Sequence, residues 1–389
     1  MSPTDSFESH PYHFLGNHAA LPTLAHVVVV PVASSAPWIR LKNDNHAAIV
    51  INEYGGIWLQ RSGYLTNAIR PWYNAILGPN KTPDEYRRVY AHSMAADTEF
   101  WRCHRVCAAV MGFTALGYSR PDGTTSDHFI DVKNLVYEPQ MYAAYRNAFS
   151  PTGLMLDYWE DELLPGQNHP MPVLTINDLQ TPWHGTLRPR LLRGGKVVRE
   201  QSAPLTMAAN GSGRVVFPWI VPQQTGQYVL EAALIRSGSE PVRSLRDVTV
   251  TSETERQARD GIAAGKPATA SSVETAGGTP FPASNAVDNT LETRWSSERS
   301  DPQWLAVDLG TPQRVSRVEL DWEAAFGKSY RIQVSQNGQD WTDVYQTDGG
   351  KGGVENIHFP SVTARYVRLY GTQRATQFGY SLWEMRVFH

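Results

Sequence analysis

Apolar positions along the chain follow three regimes. As far as Pro151, continuous apolar runs alternate with stretches of helical spacing. Residues 47–51 form one such run, with the β-branched Ile49, Val50 and Ile51 together. That composition predicts a strand buried on both faces of a parallel sheet. The polar and flexible Asn52, Glu53, Tyr54, Gly55 and Gly56 follow it. A short helix is predicted over 67–77, stopped by Gly78 and Pro79. A stronger helix start comes at Thr82, with Pro83 at the first position and Glu85 closing a capping box. Tyr86, Val89, Tyr90, Met94, Phe100 and Trp101 then recur at helical spacing up to His104. Residues 106–113 read as another buried strand. An amphipathic helix over 138–149 is stopped by Pro151. Strand, helix, strand, helix in this order predicts a parallel α/β structure over 1–151.

Beyond Pro151 the period changes to two. Residues 152–252 carry short alternating strands, with Gly194-Gly195 as a hairpin turn, and predict an immunoglobulin-like antiparallel β-sandwich. Trp183 and His184 fall in a loop between these strands and read as packing or interdomain residues. Residues 253–265 are charged, then small and polar, which reads as a linker. From 266 to 389 alternation resumes, with turns at Asn337-Gly338 and Gly349-Gly350. This predicts a second sandwich of jelly-roll type.

Composition narrows the function classes. A chain of 389 residues holds two or three domains. A formal net charge of −3 with interspersed signs gives no nucleic-acid stripe and no polybasic membrane patch. No apolar run approaches the ~20 residues that span a bilayer, so no transmembrane segment is expected. Residues 1–14 have neither a basic nor an apolar leader region, so no signal peptide is expected and the localisation stays open. Cys103 and Cys107 make no disulfide framework, and with no further ligand cluster they read as buried thiols rather than a metal site. Glu53 stands at the C-terminal tip of a predicted parallel strand, where barrel enzymes hold their chemistry. It equally fits a strand-end carboxylate bonded to a loop.

Five segments of the last domain carry a family likeness. ASNAVDNTLETRWSS, QWLAVDLG, SYRIQVSQNGQDW, ARYVRLYGT and GYSLWEMRVF, in this order, resemble the discoidin fold of the coagulation factor 5/8 C-terminal type. That group includes the galactose-binding-like family 32 carbohydrate-binding modules, and the likeness covers about 262–389. It implies a structural calcium ion held by Asp288, the backbone of Thr290, Thr293 and Glu384, an all-oxygen set suited to a hard cation. The family's Asp-Gly-Asn is here Asp288-Asn289-Thr290, a departure in the loop. It also implies sugar-binding loops at one end of the sandwich, where Glu323, Phe326, Arg374, Phe378 and Tyr380 fall. Aromatic faces beside charged groups suit a sugar's CH surface and hydroxyls. Trp322 ends an alternating strand and is expected in the core.

INEYGG at a strand end resembles the nucleophile strand of family 2 glycoside hydrolases, members of the clan of (β/α)8 retaining glycosidases. GYSRPDGTTSDHF resembles the last barrel strand and its loop, and a trailing immunoglobulin-like sandwich fits the same family. This likeness implies Glu53 as nucleophile. Tyr12 and His13, in HPYH, would sit on the preceding strand, with Tyr12 near enough to hydrogen-bond the nucleophile. Phe113 and Tyr118 would line the sugar site. The expected fold is therefore the last three units of a (β/α)8 barrel, then the two sandwiches.

The departure from that family is large. A full barrel takes about 250 residues, and retaining hydrolysis needs a second carboxyl group ~5–5.5 Å from the nucleophile. Asp127, Asp131 and Glu99 are the acidic residues at hand, and none follows a suitable buried strand. The chain therefore reads as the C-terminal part of a glycoside hydrolase lacking its general acid, with an oligo- or polysaccharide as partner and a separate barrel segment as a second one. The alternative is a non-catalytic glycan-binding or adhesion protein acting through the discoidin domain. A third use, docking on a protein or phospholipid surface, would employ Phe326 and Phe378 as apolar spikes.

Overall fold

The computed structural model describes residues 6–9, 48–51, 53–55, 58–66, 69–77, 80–105, 107–117, 128–160, 162–276, 278–290 and 293–389. The chain forms two compact units, Met1–Thr251 and Ser252–His389.

In the first unit β1 (Ser6–Ser9), β2 (Ala48–Ile51) and β3 (Ala109–Val110) pair in parallel in the order β1–β2–β3. Ser6 lies opposite Ala48, and Val50 opposite Ala109. The β2–β3 pairing runs on past the strand ends: Met111 N–H donates to Ile51 O (2.9 Å) and Phe113 N–H to Tyr54 O (3.1 Å). Among the described residues the strand expected over 106–113 is Ala109–Val110, because Ala and Gly fit a pleated surface poorly. A partial (β/α)8 barrel is not evident. The described residues give an open three-stranded parallel sheet, and so few strands cannot close at the tilt a barrel requires.

The long helix Pro83–His104 crosses from β2 to β3. Its capping box is formed as the sequence implies: Thr82 Oγ1 accepts from Glu85 N–H (3.3 Å) and Glu85 Oε2 accepts from Thr82 N–H (2.8 Å). The helix buries Tyr86, Tyr90, Met94 and Trp101 against Ile51, Tyr54 and Tyr73. The helix Pro139–Ala148 begins at Glu138, whose carboxylate accepts from Met141 N–H (2.6 Å).

The sandwich of this unit pairs a three-stranded sheet, centred on Met171–Asn177, with a larger sheet built around Trp183–Arg193, Gly226–Ile235 and Val242–Val250. Trp183 begins a strand instead of lying in a loop, and it is buried with Leu187, Leu191, Trp219 and Val248. The long helix and the sandwich share one unit because polar groups lock them together. Glu99 on the helix takes Arg246 Nη2 (2.9 Å) and Ser244 Oγ (2.7 Å), all three buried. Arg88 and His92 both reach Asp247 at 2.7 Å.

The second unit begins earlier than the sequence reading placed it. The stretch read as a linker contains the helix Glu253–Asp260, with a capping box between Ser252 and Glu255. Ile262 and Ala263 then enter the core of the unit. The strands Trp295–Ser296, Ser381–Phe388, Gln303–Trp322, Val354–Arg374, Gly327–Ser335 and Thr342–Thr347 pair in that order. Their inward residues, among them Trp295, Val307, Trp322, Tyr330 and Val367, form a continuous core. Trp322 is thus a core residue, as its place in the alternation implies. Among the described residues no helix is long and apolar enough to cross a membrane.

Candidate functional site

Glu53 stands two residues beyond the C-terminal end of β2, half-buried between the buried Ile51 and Tyr54. The Tyr54 hydroxyl bonds Thr98 Oγ1 on the long helix, which fixes the backbone on either side of the glutamate's neighbour. Burial pushes the Tyr54 phenol well above its ordinary range. Phe113 lies alongside: its carbonyl accepts from Trp58 Nε1 (3.2 Å), and the two rings meet edge to face at 6.0 Å. Glu53 and Phe113 therefore share one end of the β2–β3 pair. Tyr12, His13, Tyr118 and Asp127 lie outside the described residues. The other acidic candidates are engaged elsewhere. Glu99 is held by Arg246 at the sandwich, and Asp131 accepts from Asn134 Nδ2 (2.6 Å) in a surface hairpin.

In the second unit one end of the jelly roll gathers charged and aromatic side chains from several loops. Glu323 Oε2 accepts from Ala325 N–H (3.1 Å) and lies 3.7 Å from Arg294 Nη1. Arg294 donates to Ser381 Oγ (2.9 Å) and covers the Phe281 ring at 4.4 Å. Glu274 accepts from Ser296 Oγ (2.7 Å) and pairs with Arg299 (3.3 Å). The Ser296 hydrogen bond is the main reason its carboxyl sits below the usual range. Arg299 lies over Phe378 at 5.2 Å, and Phe378 is 46% exposed. Arg374 donates to Phe378 O (3.2 Å) and to Asp301 Oδ2 (3.2 Å).

Two of the expected contact residues have other roles. Tyr380 is fully buried, and its hydroxyl donates to Asp301 Oδ1 (2.6 Å). Burial pushes its phenol well up, and the Asp301 carboxylate adds to the effect. Its ring fills the space over Gly371, where a Cβ would come within 2.2 Å of it. Tyr380 thus holds Asp301, and through it Arg374, and cannot itself meet a ligand. Phe326 packs against the core with Gly352 over its ring, so it anchors a loop and is not an apolar spike. Glu323, Arg374 and Phe378 remain as surface groups. The sequence reading missed Glu274, Phe281, Arg294, Arg299 and Asp301. The turn-rich run SSVETAGGTPF, which brings a carboxylate and an aromatic ring up to the TRW strand, was the available signal.

At the expected calcium loop the structure brings Asp288, Thr290, Thr293 and Glu384 together. Thr290 N–H donates to Glu384 Oε1 (2.9 Å) and to Asp288 Oδ1 (3.2 Å), and Thr293 Oγ1 to Asp288 Oδ2 (2.5 Å). Asn289 takes the left-handed conformation (φ 63°) that the family's glycine would adopt, and asparagine tolerates it. Glu384 is only 2% exposed. Burial raises its carboxyl from an ordinary 4.5 to about 8, and the facing Asp288 carboxylate adds to this against the opposing charge of Arg386. A second carboxylate buried opposite a first is relieved by a proton or by a cation, so the donor set fits a hard ion. No cluster of three or more His, Cys, Asp or Glu side chains occurs among the described residues, so backbone and hydroxyl oxygens would have to complete the shell.

Residues 267–385 match the F5/8 type C domain. Chitosan-binding module 1 of a chitosanase/glucanase from Paenibacillus sp. IK-5 is 52% identical, covering 33% of this chain and 98% of that module, with a TM-score of 0.31. Module 2 of the same enzyme, solved with chitotriose, is 43% identical over 33% of this chain and 99% of the module, with a TM-score of 0.32. A polysaccharide lyase 8 family protein, HylA, of Enterococcus faecalis is 35% identical over 91 residues, which are 23% of this chain and 7% of that protein.

Proposed function

We propose that this is a carbohydrate-active protein whose second unit binds a saccharide at the loop end of its jelly roll. The observation that carries this is the set of opposed pairs Glu274–Arg299 and Asp301–Arg374 beside the half-exposed ring of Phe378, with Arg294–Glu323 a further pair at the loop end. Opposed charged groups supply both donors and acceptors for sugar hydroxyls, and the ring offers an apolar face for a pyranose. A glycan array probed with the full chain tests it, with chitotriose among the probes. Binding to a defined saccharide that is lost in Phe378→Ala and Arg374→Ala is the expected result. Binding to phospholipid vesicles with no saccharide bound would instead favour the surface-docking use.

The first unit fits the C-terminal part of a retaining β-glycosidase with Glu53 as nucleophile, supported by its place at the end of a parallel strand beside Phe113. In this reading Tyr12 would bond the nucleophile, and His13, Phe113 and Tyr118 would line the sugar. The general acid would come from a separate barrel segment. The purified chain should be inactive on aryl β-glycosides. Turnover that disappears in Glu53→Gln would show that this chain supplies its own acid. The calcium reading belongs here too: Asp288, Thr290, Thr293 and Glu384 would hold the ion as a structural clip on the loop before the TRW strand.

A further inference from the structure

An outer sheet face of the jelly roll carries a second cluster. In the register of the jelly roll, Trp304, Tyr370 and Arg331 lie side by side across three strands, and Ala306, Arg368 and Gln333 form the next row. Directly paired residues project to the same side of a sheet. Leu305, Val307, Val367, Leu369, Ile332 and Val334 are the buried residues that alternate with them, so these rows face outward.

Arg368 is the centre of this face. Its guanidinium lies over the Trp341 ring at 4.1 Å and the Tyr370 ring at 5.0 Å. Its Nε donates to Gln333 Oε1 (2.6 Å), and the buried Gln333 is in turn fixed by Asp343 Oδ1 (2.5 Å). Nε is thereby used, and the two terminal nitrogens make no hydrogen bond to the described residues. Every other arginine of this unit that is at least half-buried has a carboxylate partner: Arg256, Arg294, Arg317, Arg331, Arg365, Arg374 and Arg386. Arg365, three residues earlier, is bidentate on Asp308 (2.8 and 2.8 Å). Arg368 has only a neutral amide. A cation partly removed from water, held in one orientation by two rings and an amide, has no carboxylate in contact, and Asp343 acts on it only from behind Gln333. Burial accordingly draws it below the usual arginine range.

We propose that this face is a second ligand site, taking the carboxylate of a uronic acid unit in an acidic oligosaccharide on the free edge of Arg368. A planar guanidinium with both terminal nitrogens open matches a carboxylate in two parallel hydrogen bonds. The half-buried rings of Trp304 and Tyr370 beside it offer apolar faces for the sugar ring. Arg331 adds positive charge, shared with Asp343 at 3.1 Å. The site is centred on Arg368, shares no side chain with the loop-end pairs, and its ligand is charged.

Isothermal titration of the full chain with trigalacturonic acid, its methyl ester and sodium sulfate tests the assignment. The acid should bind at least tenfold more tightly than the ester. Arg368→Gln should weaken the acid at least tenfold, and Arg368→Lys, which keeps the charge but not the planar fork, should weaken it too. Arg314→Ala, at an exposed arginine outside both clusters, should leave it unchanged. Equal binding of acid and ester, unchanged binding in Arg368→Gln, loss in Arg314→Ala, or no binding by the wild type would each overturn it. Sulfate competing as well as the acid would reduce the face to a general anion site and overturn the uronate assignment. Thermal melts of each variant, with titration of a neutral oligosaccharide selected on the array, show whether the module is folded and whether the loop-end site stands or fails independently.

Discussion

Replacing Glu384 by Gln separates a proton from a metal ion as the partner of a buried carboxylate. Glu384 is 2% exposed and faces Asp288, and its carboxyl is raised from 4.5 to about 8. A carboxyl with a folded pKa above its unfolded value stabilises the fold while protonated. That contribution is complete below about pH 4.5 and is lost as pH rises through about 8. At about 1.4 kcal/mol for each pKa unit, the gap is worth on the order of 5 kcal/mol of stability in the metal-free unit. Calcium reverses the preference, since it binds the ionised form. At a hundred times its dissociation constant it returns about 2.7 kcal/mol. Thermal and urea melts from pH 4.5 to 8, in chelator and in millimolar calcium, read both effects. In chelator the wild type should lose stability across this range and Glu384→Gln should stay nearly flat. At pH 8 calcium should raise the wild-type midpoint and leave the variant's in place. Parallel pH curves for the two proteins in chelator, or an equal calcium shift in both, would refute the reasoning.

Arg246→Met should destabilise the first unit by about 3–5 kcal/mol, because it strands the buried Glu99 carboxylate. The double variant with Glu99→Leu should recover most of that loss in urea titrations, and no recovery would mean that Arg246 acts by packing alone. Tyr380→Phe removes the bond to Asp301, so it should cost about 1–2 kcal/mol by melting and weaken saccharide affinity while the protein remains folded. Unchanged affinity would show that Asp301 and Arg374 need no such support. Ser252→Ala should cost about 1 kcal/mol through loss of the cap on the helix Glu253–Asp260, as read by chemical denaturation of the full chain. A change indistinguishable from zero would mean that this helix is not part of the cooperative fold.

The second unit was the more legible in sequence. Alternation at Leu305, Val307 and Leu309, and the tryptophan closing the strand at Trp322, translate directly into core positions, because a sheet with one buried face imposes a period of two. The helix Glu253–Asp260 has the charged composition of a linker, and only its Ser252–Glu255 capping box marks it as a helix. The loop-end groups were half read. Arg374 and Phe378 stand near strand ends, whereas Glu274, Arg299 and Asp301 come from turns with no periodicity to mark them. Tyr380 shows the opposite limit, since an aromatic ring in a loop looks the same whether it meets a ligand or supports the residue that does. In the first unit the capping box at Thr82 and Glu85 predicted its helix well, but β3 kept only two residues of a run whose alanines and glycine do not favour a strand. Nothing local marked Arg246 as the buried partner of Glu99, because that pair depends on a contact 147 positions apart.

Saccharide binding at the loop end of the jelly roll is the property on which the proposed function depends. Titration calorimetry of the full chain with the tightest binder found on a glycan panel, repeated on Phe378→Ala and Arg374→Ala, addresses it most directly. Saturable one-to-one binding by the wild type, weakened at least tenfold in both variants with melting temperatures preserved, is the predicted result. A panel on which no saccharide binds, or variants that bind as the wild type does, would contradict it.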